Sequence, residues 1–420
     1  MNRMSFLNRN MFLVLLAVVF TVTGCGAVLL QIKADNALQA KRYDEALTNY
    51  QEILKTDPAN LAALKGIGET YLRMKKIPEA MAALKKAHAK DPDRRTTVNL
   101  GLAYTEAGDY GKAIDAWDDL LSRETDGNIA DLVKKQRTLA LYKDASLQAK
   151  NALAQEKALI AGGVVAERKK AAAPAKENTV AVSPFGEKGN TEKTKYLRKA
   201  LAAMIITDLS KAPGIHVVER VRMQKLLDEL NLGQSGIVDP ATSPRVGRLL
   251  GAGKIVSGSM LGTGDDNLHI LRILTNVDTG KDLGDQDAQG RLNEFFKLQK
   301  AIVFGIFKDL GIKLTPQDEE LISRFATRNY KGLLLYGEGL DWQDIGEWDK
   351  AIRVFQQCVN LDPAGPCGAA LSASPSTSDA TTDSSSVAAA VAAAASAAAA
   401  AAAASASASG GGGGGGGGGH

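Results

Sequence analysis

The sequence predicts an α+β protein in which a helical solenoid is followed by an α/β domain, a further helical repeat and a disordered tail. Three observations predict this architecture. Helical patterns recur at a fixed period between residues 34 and 124, strand and helix patterns alternate between 179 and 314, and alanine, serine and glycine dominate the end of the chain. The 420 residues suffice for two or three domains with ample cores.

The chain begins with the layout of an export signal. Two arginines flank the start, an apolar run extends from Met11 to Val22, and Thr23 and Gly24 place small residues before Cys25. The run is shorter than the ~20 residues of a transmembrane helix, which argues against a single-span anchor. The stretch resembles the cleavage site of bacterial lipoproteins. That resemblance implies that residues 1–24 are a lipoprotein signal peptide and that Cys25 is lipidated.

The residue after the cysteine indicates the membrane to which the protein is sorted. In the lipoproteins that the signal resembles, an Asp at this position retains the protein in the inner membrane, whereas Gly26 stands here. The expected location is therefore the cell envelope, as an outer-membrane lipoprotein that faces the periplasm. Its acyl chains would bind the membrane stably, because each buried methylene contributes ~0.8 kcal/mol.

Residues 25–160 are predicted to form a repeat array that resembles tetratricopeptide repeats in its period. An alanine with a bulky residue four positions later recurs at spacings of 34 and 33 residues, and a small residue lies twelve positions before each alanine. The pattern consists of Ala34, Ala46 and Tyr50, then Gly68, Ala80 and Leu84, then Gly101, Ala113 and Trp117, with Pro58 and Pro92 ending the first two repeats. An alanine-rich helix from Ala130 to about Leu159 is expected to cap the array.

Arrays of this kind offer a concave groove to peptide segments, although the repeats do not name the ligand. The first helix of each repeat lines the concave side, so Lys65, Asn99 and Tyr104 are the candidate groove residues. Tyr104 has an alternative role as the packing tyrosine of its repeat. The predicted partners are envelope proteins or exported polypeptides.

A linker at residues 161–178 is followed by a domain in which strand and helix patterns alternate. Strands are predicted at 179–184, 215–219 and 254–261, helices at 196–209, 223–230 and 291–310, and an antiparallel pair turns at 264–267. The segments 180–182, 203–209, 218–220, 249–252 and 255–259 together resemble the curli production assembly/transport lipoprotein family. Residues 179–314 are accordingly expected to be a CsgG-like α/β domain.

This resemblance implies oligomeric outer-membrane pores that export amyloid subunits, but the sequence departs from that pattern twice. The segment 186–195 is short and has no aromatic residue for a constriction. The stretch 254–289 has room for a short hairpin rather than for two spanning ones. A pore is therefore not the favoured interpretation, and homo-oligomerisation stays open.

A fourth repeat is predicted within residues 315–366, where Gly339, Ala351, Phe355 and Pro363 reproduce the earlier offsets. One isolated repeat cannot bury its own face, so it must dock on the central domain or on another subunit. Cys358 is expected to be a small buried thiol, and pairing with Cys367 is the alternative. Residues 367–420 are predicted to form a disordered low-complexity tail.

The patterns that would indicate catalysis are incomplete. Gly251-Ala252-Gly253-Lys254 suggests a phosphate loop, but Arg248 and Ile255 replace two of its defining residues, so a helix C-terminal turn is the better interpretation. The four histidines lack metal-ligand spacing. Glu219 and Arg220 are expected to form an ion pair that orients the next helix.

The predicted function is an outer-membrane-anchored periplasmic scaffold for protein assembly in envelope biogenesis or secretion. No enzymatic activity, cofactor or metal is expected. A formal net charge of +4 without a long basic block argues against nucleic acid as a partner. Two alternatives stay open, a subunit of an oligomeric curli-type secretion channel and a peptide-binding periplasmic chaperone.

Overall fold

The structure is a computed structural model that describes residues 26–162, 178–188, 196–232, 238, 241–263, 267–324, 327–382 and 386–391. The chain divides into two compact units, residues 1–133 with 382–420, and residues 134–381. The predicted signal peptide, Cys25 and most of the predicted linker lie outside the described residues.

The first unit is an α-solenoid of helix pairs joined by short turns, as the sequence period predicts. Its helices are α1 (26–39), α2 (Tyr43–Thr56), α3 (Leu61–Arg73), α4 (Ile77–Lys90), α5 (Arg94–Glu106), α6 (Tyr110–Arg123) and the first turns of α7 (Gly127–Ala161). The first helices of the second and third repeats are capped by Asn60 and Asp93, whose side chains accept hydrogen bonds from Ala63 and Thr96 N–H. These caps fix where each repeat begins.

Close approach of the two helices in a repeat depends on the small residues of the period. A Cβ added to Gly68 would lie 2.6 Å from the Leu84 side chain, and one added to Gly101 would lie 2.8 Å from the Trp117 indole. In these two repeats the bulky residue therefore packs directly over the small residue of its own repeat. Leu84 and Trp117 are consequently buried in the repeat core.

Helix α7 crosses the boundary between the two units. The stretch from Ala130 to Leu159 is helical as expected, but the boundary falls after Val133. Further along α7, Ala149 and Leu153 pack into the core of the α/β domain. Most of this helix therefore belongs to the second unit instead of serving only as a cap, because its apolar residues pack against that domain.

The second unit contains a mixed sheet that joins parallel and antiparallel strands. Among the described residues its strands are β1 (Thr179–Val182), β2 (Gly186–Lys188), β3 (His216–Val217), β4 (Lys254–Thr263), β5 (Asn267–Asn276) and β6 (Asp282–Arg291). The order is β3-β1-β4-β5-β6, and β2 also pairs with β4. β1 runs parallel to β3 and β4, whereas β4, β5 and β6 form an antiparallel meander.

Helices cover the sheet and complete the unit. They are α8 (Leu197–Leu209), α9 (Arg220–Glu229), α10 (Ser243–Leu249), α11 (Phe295–Asp309), α12 (Pro316–Ser323), α13 (Tyr330–Asp344), α14 (Trp348–Leu361), α15 (Cys367–Ala373) and α16 (Thr377–Thr381). One core lies between the sheet and α8 with α11, and a second lies between the first parallel strands and α9 with α10. The α/β domain predicted from alternating patterns is thus present.

The antiparallel part of the sheet is larger than the short hairpin that the sequence predicts. β4, β5 and β6 each span 10 residues, and β6 was not predicted. Its sequence is rich in Asp and Gly, which are rare in strands. β6 forms because it pairs with β5 along its length and buries Ala288 on the side that packs against α11.

The glycine-rich segment after α10 ends that helix, as the sequence predicts. Gly251 has a φ of +67°, a left-handed conformation that glycine adopts without steric cost. Ala252 N–H donates to Gly247 C=O and Gly251 N–H donates to Arg248 C=O, so the last turn of the helix is closed by backbone hydrogen bonds.

The sequence analysis leaves two docking partners open for the fourth repeat, the central domain and another subunit. In the structure the repeat packs on the central domain. Its helices α13 and α14 pack closely because Gly339 faces the Phe355 ring. α13 packs against α8, and Ala203 of α8 joins Leu340 and Phe355 in one apolar cluster. The face that an isolated repeat would expose is therefore buried by the α/β domain.

Part of the predicted disordered tail is helical, since α15 and α16 lie within residues 367–382, while residues 392–420 lie outside the described residues. Cys358 and Cys367 form a disulfide with a Cα–Cα distance of 6.0 Å, so the expected free thiol is wrong. This bond fixes the start of α15, and Gln343 Nε2 donates to the buried Ser374 Oγ at 2.7 Å just after its end. α16 and residues 386–391 are also helical, and only the second of these segments lies in the alanine-rich sequence.

Candidate functional site

Lys65 lies on α3, the first helix of the second repeat, and is engaged within the repeat array. Its Nζ lies 2.7 Å from Asp91 Oδ2 and 2.6 Å from Asp93 Oδ2. Burial acts to lower the pKa of Lys65, but the two carboxylates outweigh it and raise that pKa above its usual value. Lys65 therefore ties α3 to the turn that precedes α5.

Asn99 lies in the middle of α5 and is only 2% exposed. Its neighbours Val98 and Leu102 are buried as well, and the buried Asn99 Oδ1 has no hydrogen-bond partner among the residues that the structure describes. A buried amide oxygen without a hydrogen-bond partner is costly in an apolar environment. Asn99 does not line an open groove in this structure.

Tyr104 occupies the end of α5 and is almost fully buried. The Nζ atoms of Lys85 and Lys112 lie 5.5 Å and 5.7 Å from the centre of its ring. Such positions allow cation–π attraction. Tyr104 is thus a buried ring flanked by lysines of the preceding repeat and of its own repeat.

A charged group that the sequence analysis missed joins α3 to α5. The guanidinium of Arg95 donates to Glu69 Oε2 at 2.5 Å and 2.8 Å, and Arg73 Nη2 donates to Glu69 Oε1 at 2.6 Å. Burial opposes ionisation of Arg95, but Glu69 raises the Arg95 pKa above its usual value. Because Arg95 and Glu69 sit on different repeats, only the helix stacking brings them together.

A second polar site, also missed by sequence, lies in the second unit around the carboxylate of Asp344. Both of its oxygens lie 2.8 Å from Arg220 Nη1, and Oδ2 lies 2.8 Å from Lys199 Nζ. Lys225 Nζ donates to the Asp344 backbone carbonyl at 2.7 Å. This Asp344 cluster, made by α8, α9 and α13, holds the fourth repeat on the α/β domain.

The electrostatics of the cluster follow from its burial. Burial alone would raise the pKa of Asp344, but Arg220 and Lys199 together hold it below the usual value. Burial also raises the pKa of Tyr142, whose ring stacks edge-on against Trp348 at 4.9 Å. The cluster is therefore an ionised, mutually compensated network.

The Asp344 cluster borders a cavity of about 1030 Å³. Three cationic side chains and three carboxylates line it, namely Arg198, Lys199, Lys225, Asp228, Asp341 and Asp344. Lys199 Nζ lies 2.6 Å from Asp341 Oδ1. Charges of both signs are thus balanced across the cavity wall, an arrangement that favours neither a strongly anionic nor a strongly cationic ligand.

The expected Glu219–Arg220 ion pair is wrong. Arg220 turns to Asp344, whereas Glu219 Oε1 lies 3.4 Å from Arg137 Nη2 of α7. The Asp344 carboxylate is buried and also pairs with Lys199, whereas the Glu219 side chain is exposed at the start of α9. The start of α9 is therefore held by Asp344, which lies 124 positions along the chain from Arg220, and not by the adjacent Glu219.

Within the described ranges, no group of three or more His, Cys, Asp or Glu residues is arranged to hold a metal ion. The same part of the chain contains no helix that is both long and apolar enough to cross a membrane. Cys25, the predicted lipidation site, lies outside it.

The geometry defines a chain that combines a helical repeat array with an α/β domain, and comparison with protein families agrees. The family model described as tetratricopeptide repeat matches residues 37–98. The family model described as curli production assembly/transport component CsgG matches residues 152–265. Both predicted resemblances are thus confirmed over these residues. The matches indicate a protein-interaction scaffold.

Individual proteins that resemble this chain share little of its sequence. RNA polymerase-associated protein CTR9 of Saccharomyces cerevisiae is 28% identical over an alignment of 123 residues, and the alignment covers 26% of this chain and 11% of that protein. The crystal structure of yeast Tom70 aligns with 80% of this chain and 62% of its own chain, at 14% identity and a TM-score of 0.27. A superposition this loose supports no conclusion about fold or function. The chain spans less than two thirds of the length of either relative.

Proposed function

We propose that this protein is an exported lipoprotein, anchored by Cys25 to the periplasmic face of the outer membrane, that acts as a scaffold for protein assembly or secretion. Its repeats bind segments of envelope proteins or exported polypeptides. It has no enzymatic role. The observation that carries the proposal is the joining of interaction repeats to a CsgG-like domain in one chain.

The disulfide supports the proposed compartment independently of the signal. Disulfides persist in oxidising compartments such as the bacterial periplasm and are rare in the cytosol. The bond between Cys358 and Cys367 is buried and connects two helices of the fourth repeat region, where it has a structural role. Together with the lipoprotein-like stretch that ends at Cys25, this bond favours export.

The proposed partner surface is the side of α3 and α5 that faces the inside of the array. Repeat arrays bind extended or helical segments there because the first helices of successive repeats lie side by side. Lys65 is held by ion pairs and Asn99 is buried, so the accessible positions differ from those predicted. Ala62 is exposed three residues before Lys65, which places both on one side of α3.

Site-specific photo-crosslinking in cells tests the proposed partner surface. A crosslinker at Ala62 should trap an envelope protein, while the same crosslinker at Asp115, an exposed position on α6, should trap none. The two positions match in exposure and differ in helix. Equal trapping at both, or none at either, would contradict the repeats as the binding surface.

A second candidate function is favoured by the match to an assembly/transport component. In this alternative the protein is one subunit of an oligomeric secretion channel. Electron microscopy of detergent-extracted protein separates the two, because a channel subunit should form closed rings and a scaffold should not.

A further inference from the structure

Helix α5 is buried on every side, more completely than α3, the equivalent helix of the preceding repeat, in which Lys65 and Tyr71 are partly exposed. Nine consecutive residues, from Thr96 to Tyr104, are buried. By contrast, α6 of the same repeat buries only Ala113, Trp117 and Leu120. Nine consecutive residues cover all faces of a helix with 3.6 residues per turn. Val98, Asn99 and Leu102 share one side of α5 by their helical spacing, and all three are buried.

A short helical segment near the C-terminus has one buried side. In residues 386–391, Val387, Ala388 and Val391 are buried, whereas Ala389 and Ala390 are exposed. Positions i, i+1 and i+4 share one face of a helix. This segment belongs to the same compact unit as the repeats.

We propose that this C-terminal helical segment covers the concave side of α5 and serves the repeats as an intramolecular ligand. Both partners are apolar, since Val387 and Val391 would face Val98 and Leu102. Alanine and valine side chains have no hydrogen-bond donor, which agrees with the orphaned Asn99 Oδ1. Small side chains also allow the segment to approach α5 closely.

The contact would regulate the proposed function, because the segment competes with any external partner for the same surface. Being part of the same chain, it has a high effective concentration. A partner would have to displace it before binding to α5. The inference rests on the proposed function only in placing partners on this surface, and the contact itself can be measured without any partner.

The test is the chemical accessibility of residue 99 in the full chain. Asn99→Cys is introduced together with Cys25→Ser, so that the residue 99 thiol is the sole cysteine outside the Cys358–Cys367 disulfide. Its rate of reaction with a maleimide is then compared between two tails. One carries Val387→Glu and Val391→Glu, and the matched control carries Ala389→Glu on the exposed side.

The proposal expects slow labelling with the natural tail and with Ala389→Glu, and labelling at least tenfold faster with Val387→Glu and Val391→Glu. Substitutions in the tail leave the repeat core untouched, so faster labelling with unchanged circular dichroism reports displacement rather than unfolding. Equal rates for all three tails would overturn the proposal and assign the cover of α5 to another element. Crosslinking of a partner at Ala62 could still succeed in that case. Failure of the tail contact is therefore distinguishable from failure of the proposed function.

Discussion

At the residue scale, the fourth repeat is held by one buried carboxylate. Asp344 is ionised between Arg220 and Lys199, with its side chain 2% exposed. Removing one partner from a buried ion pair strands the remaining charges and is far more costly than removing an exposed pair. Asp344 is therefore the residue on which attachment of α13 to α8 and α9 most depends.

We expect Asp344→Asn to lower the free energy of unfolding of the full chain by ~3 kcal/mol at neutral pH, because Arg220 and Lys199 lose their counter-charge. Glu347→Gln is the matched control, since Glu347 pairs with Lys350 at the surface three residues further on. Its cost should stay below ~1 kcal/mol. Denaturant unfolding measures both, and a similar small loss for the two variants would show that the cluster is not structural.

The stability lost in Asp344→Asn should depend on pH. The pKa of Asp344 is lower in the folded chain, so its stabilisation is fully present above the unfolded carboxyl pKa of ~3.9 and is lost as pH falls through the folded value. The stability difference between the natural chain and Asp344→Asn should therefore be constant at neutral pH and shrink below about pH 4. A difference independent of pH would contradict an ionised Asp344.

At the element scale, the repeats depend on glycine where two helices touch. Gly101 lies against Trp117, whereas Gly111 on α6 has open space around it. Both are helical glycines, but only one is required by packing. The difference allows the helix contact to be tested apart from glycine's flexibility.

We expect Gly101→Ala to destabilise the chain by ~1–3 kcal/mol, because the new methyl group overpacks the contact with the indole. Gly111→Ala should instead be neutral or stabilising by up to ~1 kcal/mol, since alanine favours the helix and nothing lies within 4 Å. Thermal melts of both variants give the comparison. Stabilisation by both would mean that the Trp117 contact is not needed for the pairing.

The elements divide into those that local patterns predict and those that depend on distant partners. The repeat helices were predictable because the Gly101 and Trp117 positions recur at a fixed spacing. β6 was not, since its Asp- and Gly-rich sequence becomes a strand only by pairing with β5. The Asp344 cluster was also hidden, because Arg220 lies 124 residues from Asp344 and only the docking of α13 joins them.

At the scale of the whole molecule, one chain carries two compact units with different roles in the proposal. The repeats present a surface to protein segments, and the CsgG-like unit incorporates the fourth repeat and its disulfide. In the proposed function the chain is exported to the periplasm, and its attachment to the membrane depends on Cys25.

The most direct test is fractionation of cells grown with a labelled fatty acid. The natural protein and a Cys358→Ser/Cys367→Ser control should both carry the label and remain in the outer-membrane fraction after a salt wash. Cys25→Ala should carry no label and leave the membranes, because the two-chain anchor that holds the protein there would be absent. An unlabelled natural protein, or Cys25→Ala retained in washed membranes, would contradict the account.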